Sequence, residues 1–593
     1  MKPLTIGVGS GFSRETSEAW GASVDVAGVI GCMVADDGPF DIVVLGAGVS
    51  GLAAAVFGAL GGARVLVLER SAHVGGSAAA SDGTIWVPNT RLAADAGLED
   101  SFAAAEAYLD DAVAGHAPKA LRYALLQAGP EAIHRLIDQT CLQFSLVRGR
   151  PDFLGGHAGA ALDGRVIAAD PFDAQTLGDQ SARIRPAAQE RLIWSGTGAS
   201  PQASEFTEFA DTGRSLRAFG RSAQLFGRYF TDRRRPSGPI LLRGGQALAG
   251  RLLCAALDLG VTLRYNVQVS RLTLDPLEVH IPMPVRARQA IILATGGFNR
   301  DPERRAKWLP RAIVRETPVA LSGTQIHDQV HALGARYRRV TGDVAYLAPC
   351  SYRRRAQGGS IAYAHFRSDG AKPGIIAVNQ AGKRFANEAH GPHHLAWAQL
   401  ETGALPAFLI ADAAALRRYG LGLVPPGDRD LAPFINDGYL VAGASIKALA
   451  RGLEIDAQGL AETVERFEAF AARGHDADFR RGAAAIERAA GDPRFGPNPT
   501  LGPLRAPPFY GVRITPGDVS AAMGFKTNPL GQVLDRRDQP MRGLYAIGDD
   551  MQSPLGGICV APGQHLGQAL TSAFLAARHA AARVGAADAQ FGR

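Results

Sequence analysis

The segment Asp41–Arg70, DIVVLGAGVSGLAAAVFGALGGARVLVLER, constrains the fold of this 593-residue chain more than any other. The apolar run Ile42–Leu45 leads into glycines, an alanine-rich stretch and a second apolar run, Val65–Leu68. Strand, tight turn, helix and strand at this spacing make a βαβ unit, whose two strands lie parallel. Gly46, Gly48 and Gly51 punctuate the turn. In a dinucleotide-binding unit the first allows the turn, the second lets the backbone approach a pyrophosphate, and the third brings helix and strand together. The helix start around Ser50 adds amide donors and a partial positive charge for the phosphates. Glu69 falls 18 residues after Gly51, at the end of the second strand, where an acid bonds ribose hydroxyls.

Beyond Glu69 the chain reads Arg70-Ser-Ala-His-Val-Gly-Gly76-Ser77. Flavoproteins of the two-dinucleotide-binding-domain type carry such a second glycine pair, which NAD dehydrogenases usually lack. The distant Ala294-Thr295-Gly296-Gly297 and the C-terminal GLYAIGDD, closing on Gly548-Asp549-Asp550, complete that set. The expectation is an α/β protein with a Rossmann-like FAD-binding domain. Asp549 or Asp550 is expected to reach the ribityl chain, and the backbone near Leu566 and Gly567 the pyrimidine end of the flavin.

Composition fits a globular protein with a large buried core, at 46% hydrophobic and 20% charged residues. The length predicts two to four domains. A net charge of +7 and the clusters Arg233–Arg235 and Arg353–Arg355 raise the question of nucleic acid. Aromatics are only 7%, and no helix-turn-helix, zinc-finger or RNA-binding pattern accompanies the arginines, so no nucleic-acid partner is expected. Solvated surface accounts for the clusters, with steering of an anionic substrate as the alternative. The five cysteines are never closer than 96 residues, which excludes a CxxC pair, and no metal site is expected. No apolar stretch reaches the ~18 residues of a membrane helix. The first residues lack the apolar core of an export signal, so the cytoplasm is the expected location. Residues 1–38 are glycine-rich, with room for a strand at Leu4–Val8, and suggest no role.

Five further segments carry a family resemblance: GGSAAASDGTIWVPN (75–89), RGGQALAGRL (243–252), GIIAVNQAGKRFANEA (374–389), PPFYGVRITPGDV (507–519) and the C-terminal block. With these the chain resembles the FAD-dependent oxidoreductase 2 family, which contains fumarate reductase flavoproteins and 3-oxosteroid dehydrogenases. It is closer to the 3-oxosteroid 1-dehydrogenase branch. The resemblance implies a discontinuous FAD-binding domain, 39–315 plus 509–585, around an inserted α+β catalytic domain, 316–508. It implies removal of two hydrogens from adjacent carbons beside the carbonyl of a ketosteroid-like or other small apolar cyclic ketone, or the reverse reaction. One hydrogen goes to flavin N5 as hydride and the other to a base, while donors polarise the carbonyl. No motif specifies the electron acceptor.

The substrate half departs from the family pattern. Where steroid 1-dehydrogenases carry a donor tyrosine in the C-terminal loop, this chain has Cys559, a poor donor. Gly563 matches the glycine whose backbone amide is the second donor. A second family tyrosine is replaced in Asp152-Phe153. After Arg384-Phe-Ala-Asn387-Glu388 come His390, His393 and His394, of which His393 is the candidate base. Tyr510 matches a position near the flavin, and Tyr346, Tyr352 and Tyr363 are further hydroxyl candidates. Fumarate-type enzymes use a C-terminal-loop arginine as proton donor; Gln564 and His565 stand there instead. Two alternatives stay open: reduction of an unsaturated carboxylate assisted by Arg353–Arg355, and FAD binding with the dehydrogenase activity lost.

Overall fold

The computed structural model describes residues 39–186, 241–299, 301–310, 313, 325–338, 340, 342–354, 360–366, 369–427 and 430–591. The stretch Leu4–Val8 and residues Arg233–Arg235 and Arg355 lie outside them. In chain order, the elements that build the site are β1 (Phe40–Leu45), α1 (Val49–Leu60), β2 (Val65–Leu68), β3 (Thr84–Trp86), α2 (Gly244–Asp258), β4 (Thr262–Arg264), β5 (Pro284–Leu293), β6 (Ala345–Arg354), β7 (Ser360–Ala364), β8 (Ile375–Val378), α3 (Pro392–Glu401), β9 (Ala407–Asp412), β10 (Val441–Gly443), β11 (Phe509–Ala521), β12 (Gln532–Leu534), β13 (Pro540–Ala546) and α4 (Gln564–Phe591).

The first sheet runs β12-β13-β5-β1-β2-β4. The four pairings from β13 to β4 are parallel, and β12 closes the other edge antiparallel. Every residue of β1 is buried, as a continuous apolar run between two covered faces requires. Helices α1, α2 and α4 cover one face through Leu52, Val56, Leu248 and Leu570, with Phe57 set edge-on against Phe574 at 5.0 Å. Val43, Leu45, Leu66 and Phe525 fill the other face. This is the flavoprotein α/β fold that the glycine pattern predicts.

The second sheet, β7-β6-β11-β9-β8, is antiparallel throughout, and β10 also pairs with β11. Strand β11 lies past the sequence boundary at 509 yet belongs to this sheet rather than to the first. Its alternating Tyr510, Val512 and Ile514 join the apolar cluster of Ile375, Leu409 and Ala411, which fixes its register. The chain returns to the first sheet only at β12 and β13.

The RFANE motif is a buried ionic lock beside the second sheet. Arg384 donates to Glu388 and Asp476, each at 2.8 Å, and Arg481 donates to Glu388 at 2.9 Å. Asn387 donates to Glu487 at 3.0 Å, tying 384–388 to 476–487 a second time. The side chains of Glu388 and Arg481 have no exposure. Glu388→Ala would leave two buried guanidiniums short of charge, so it is expected to destabilise the fold by about 3–5 kcal/mol, read as a lower denaturation midpoint.

Candidate active site

One cavity of about 1100 Å³ runs from the ends of the first sheet to the second sheet. Its floor is the β1–α1 turn. Gly46 sits at φ +106°, and a Cβ there would stand 2.3 Å from the Ala294 carbonyl oxygen, so the floor has to be bare backbone. Glu69 accepts the Ala47 amide on one carboxylate oxygen and the Ser71 amide on the other, both at 2.8 Å. The carboxylate is thereby oriented while keeping lone pairs for two vicinal hydroxyls. Of the residues expected at the cofactor, Gly46, Gly48, Ser50, Glu69, Arg70, Gly76 and Ser77 line the cavity. So do Ala294, Thr295, Gly296, Asp549 and Leu566. A bare-backbone floor at a helix start and an acid at the strand end fit an FAD, of which Gly48 would take the pyrophosphate and Glu69 the adenosine ribose.

Four expected cofactor residues do not line the cavity, and each has a structural task. Gly51 lies in the α1–sheet contact, and Gly548 takes its place beside Ser50, its amide donating to Ser572 at 3.1 Å. Gly567 spends its amide on the Gly563 carbonyl oxygen at 3.1 Å, so it has none to offer a ligand. Asp550 is turned inward. It accepts the Thr295 amide, the Thr295 hydroxyl at 2.9 Å and the Gly297 amide at 2.9 Å, and pairs with His327 at 2.7 Å. Burial alone would raise its pKa; the His327 charge and these donors outweigh burial and hold it below the usual carboxylate range. Of the two aspartates, Asp549 therefore faces the cavity.

The C-terminal loop forms the far wall. Gly563 is at φ +84°, and a Cβ there would meet Ile85 N and the Thr84 carbonyl at 2.7 Å. Its carbonyl accepts the Trp86 amide at 3.0 Å, so strand β3 sets this peptide in place. Trp86 is anchored in turn by its indole N–H to Asp152 at 2.9 Å. The Tyr108 hydroxyl donates to the Val560 carbonyl at 2.6 Å, and the Gln564 side-chain oxygen accepts the Val560 and Ala561 amides at 2.6 and 3.1 Å. Cys559 lines the cavity, and burial pushes its thiol up to about 12, so it stays protonated.

Two of the expected catalytic side chains are placed otherwise than the sequence suggests. Tyr510 packs into the apolar cluster of the second sheet and does not line the cavity. His393 does line it, yet both of its nitrogens are engaged: Nδ1 accepts the Leu347 amide at 3.0 Å and Nε2 lies 2.8 Å from Asp343 Oδ2. Three further cavity residues come together here: Tyr346, one of the hydroxyl candidates, His565, which stands at the fumarate-type arginine position, and Ser520, which has no signature in the sequence pattern. Tyr346 sits edge-on to His565 at 4.3 Å, with its hydroxyl 3.1 Å from Ser553 Oγ. Burial drives its phenol well above the usual range, keeping it neutral. His565 and Ser520 also line the cavity. Arg353 pairs with Asp437, and neither it nor Arg354 reaches the cavity. Away from the cavity, Cys141, Cys254 and Asp258 bring possible ligand atoms within 4.8 Å of one another. Burial pushes the Cys254 thiol up to about 12, which opposes the thiolate a metal requires. No helix among the described residues is long and apolar enough to cross a membrane.

A glycine-floored dinucleotide cradle opening onto a second sheet defines a flavin-dependent oxidoreductase. Residues 41–566 match the family described as FAD binding domain, and the chain belongs to that family. It is 31% identical over 557 residues to the 4-oxocyclohex-2-ene-1-carboxylate 5-dehydrogenase of Sinomonas cyclohexanicum, covering 91% of this chain and 93% of that one. It is 31% identical over 570 residues to the 3-oxosteroid 1-dehydrogenase of Mycobacterium tuberculosis, covering 92% and 99%. The structure of 3-ketosteroid delta1-dehydrogenase from Sterolibacterium denitrificans, in complex with 1,4-androstadiene-3,17-dione, superposes with a TM-score of 0.82 at 29% identity, covering 92% of this chain and 100% of that chain. The protein is thus an FAD-dependent oxidoreductase similar to these dehydrogenases. Glu69→Ala removes the oriented acid and is expected to weaken FAD binding by about 10-fold or more, measured by flavin fluorescence titration.

Proposed function

We propose that the protein desaturates a cyclic ketone, steroid-like or smaller, removing two hydrogens from adjacent carbons beside the carbonyl. The observation that carries this reading is the continuity of the cavity: the FAD cradle and Phe153, Tyr346, Leu347, Cys559 and Gly563 line one space. The family membership and the activities printed for the relatives support it. On this reading the first sheet with its helices is the FAD-binding half and the second sheet the substrate half.

When bound, FAD supplies a two-electron acceptor for the departing hydride. The chain's own residues do the rest. The Gly563 amide, fixed by β3, is the donor to the ketone oxygen and stabilises negative charge that grows there as the α-proton leaves. Cys559 stays a thiol and contributes weakly. Phe153 and Leu347 present apolar surface to the ring and exclude water, which strengthens the amide's effect.

A narrower version of the same reading is a ring ketone bearing a carboxylate. Arg150, Lys372, Arg418 and Arg494 line the cavity together with Asp369 and Asp492, and Arg418 and Arg494 both pair with Asp492, at 2.8 and 3.1 Å. Lys372 is held in place by the Ala490 carbonyl at 2.6 Å. Reduction of an unsaturated carboxylate in the fumarate manner has less support, since Gln564 serves the loop backbone and the Arg353 side chain is paired elsewhere.

Anaerobic mixing of the holoenzyme with 3-oxosteroids and with 4-oxocyclohexanecarboxylate tests the proposal. At least one ketone is expected to bleach the flavin band near ~450 nm. Bound FAD that no ketone bleaches would contradict desaturation and favour a flavin-binding protein without this activity. Arg150→Met is expected to raise KM about 10-fold for the carboxylated ketone and to leave the steroid value nearly unchanged.

A further inference from the structure

We infer that His565 takes the α-proton of the ketone, with Ser520 and Asp549 positioning its ring; this rests on the desaturation reading above. The Ser520 hydroxyl lies 3.3 Å from Asp549 Oδ1 and 3.2 Å from His565 Nδ1. If the hydroxyl donates to the carboxylate, its oxygen is left to accept Nδ1–H. That order puts the proton of the neutral imidazole on Nδ1 and leaves the Nε2 lone pair bare. Among the described residues no hydrogen-bond partner holds Nε2, in contrast to His393. The ring stands in the cavity wall two residues beyond Gly563, so base and carbonyl donor share one turn of chain.

The groups facing His565 are Tyr346 on β6, His393 on α3 with Asp343 behind it, Cys559 in the loop, and Ser520 on β11 with Asp549 and Asp550 behind it. Burial, with the His393 charge adding to it, lowers the imidazole to about 4, so the ring is neutral and able to accept a proton near neutrality. Burial and the adjacent Asp550 charge raise Asp549 to about 7. Asp549 is thus protonated below that pH and ionised above it. Its ionised form holds the Ser520 hydroxyl and stabilises an imidazolium, so proton abstraction is expected to speed up as pH rises through about 7.

In the step itself, Nε2 takes the α-proton and the C–H electron pair moves toward the carbonyl, whose oxygen the Gly563 amide holds. With FAD bound as the two-electron acceptor, the β-hydrogen would leave with its electron pair, a C=C bond would form, and His565 would return its proton to solvent. Electrons balance: the ketone is oxidised by two and the flavin reduced by two.

Holoenzyme whose flavin has been reduced beforehand cannot accept hydride, so it isolates the proton step as wash-in of deuterium at the α-carbon, read by NMR of the ketone. His565→Gln is expected to slow this exchange at least about 100-fold. Ser520→Ala should slow it about 10-fold and flatten its rise through neutral pH, and Ser520→Thr, which keeps the hydroxyl, should restore both. Exchange at the wild-type rate in His565→Gln would overturn the proposal. Histidine ¹⁵N NMR, with His565→Gln assigning the signal, gives a reading independent of substrate. A proton on Nδ1 is expected, and a proton on Nε2 overturns the proposal. If the wild type neither oxidises nor exchanges any ketone while Nδ1 carries the proton, the ketone reading fails and the ring arrangement stands.

Discussion

The buried Asp550 carboxylate is the joint on which the site depends. It gathers the Thr295 and Gly297 amides at the end of β5, the Thr295 hydroxyl, and His327 from a separate helix. A carboxylate buried without such partners would neutralise rather than stay charged. Fully satisfied, it binds the β13 end to the β5 end, where the main chain adds Ile547 N to Leu293 O at 3.0 Å. Because Asp550 is consumed inside the fold, its neighbour Asp549 is presented to the cavity, where burial and then the adjacent negative charge shift its titration upward. A buried structural carboxylate thereby sets the chemistry available one residue away.

A second chain of constraints fixes the opposite wall. Arg165 donates to Asp152 at 2.8 Å, Asp152 accepts the Trp86 indole, and the Trp86 amide holds the Gly563 carbonyl. A backbone donor mounted in this way keeps its direction whatever side chains surround it. On the proposed function, Cys559 at a tyrosine position therefore leaves a means of polarising a ketone, and Gln564 and Tyr108, which tie down the same loop, bear on a site that neither of them lines.

The cofactor half was legible because its information is local. An apolar run, a glycine turn and an acid at the strand end specify β1–α1–β2 within a short window, and the structure follows them residue by residue. The substrate half rests on meetings between distant segments. Tyr510 looks poised in sequence, but strand alternation in β11 turns it into the second sheet's core. His393 looks free until the Leu347 amide and Asp343 arrive from elsewhere in the chain. Asp549 belongs to the GLYAIGDD motif and His565 stands at the fumarate-type arginine position, but no pattern ties either to Ser520; only the fold brings a strand end, a turn and a helix start to one place. The start of α4 shows the same limit. Gln564 folds its side chain back on Val560 and Ala561, a contact no local pattern encodes, and the helix begins there.

On the proposed function, FAD and a cyclic ketone share one cavity, with the ketone oxygen on the Gly563 amide. A crystal structure of the holoenzyme with a bound cyclic ketone or its desaturated product tests this most directly. The ketone oxygen is expected within hydrogen-bond distance of Gly563 N and the α-carbon beside His565 Nε2, with FAD running from Glu69 to the C-terminal loop. A ligand bound outside this cavity, or with its oxygen turned away from Gly563, would contradict it.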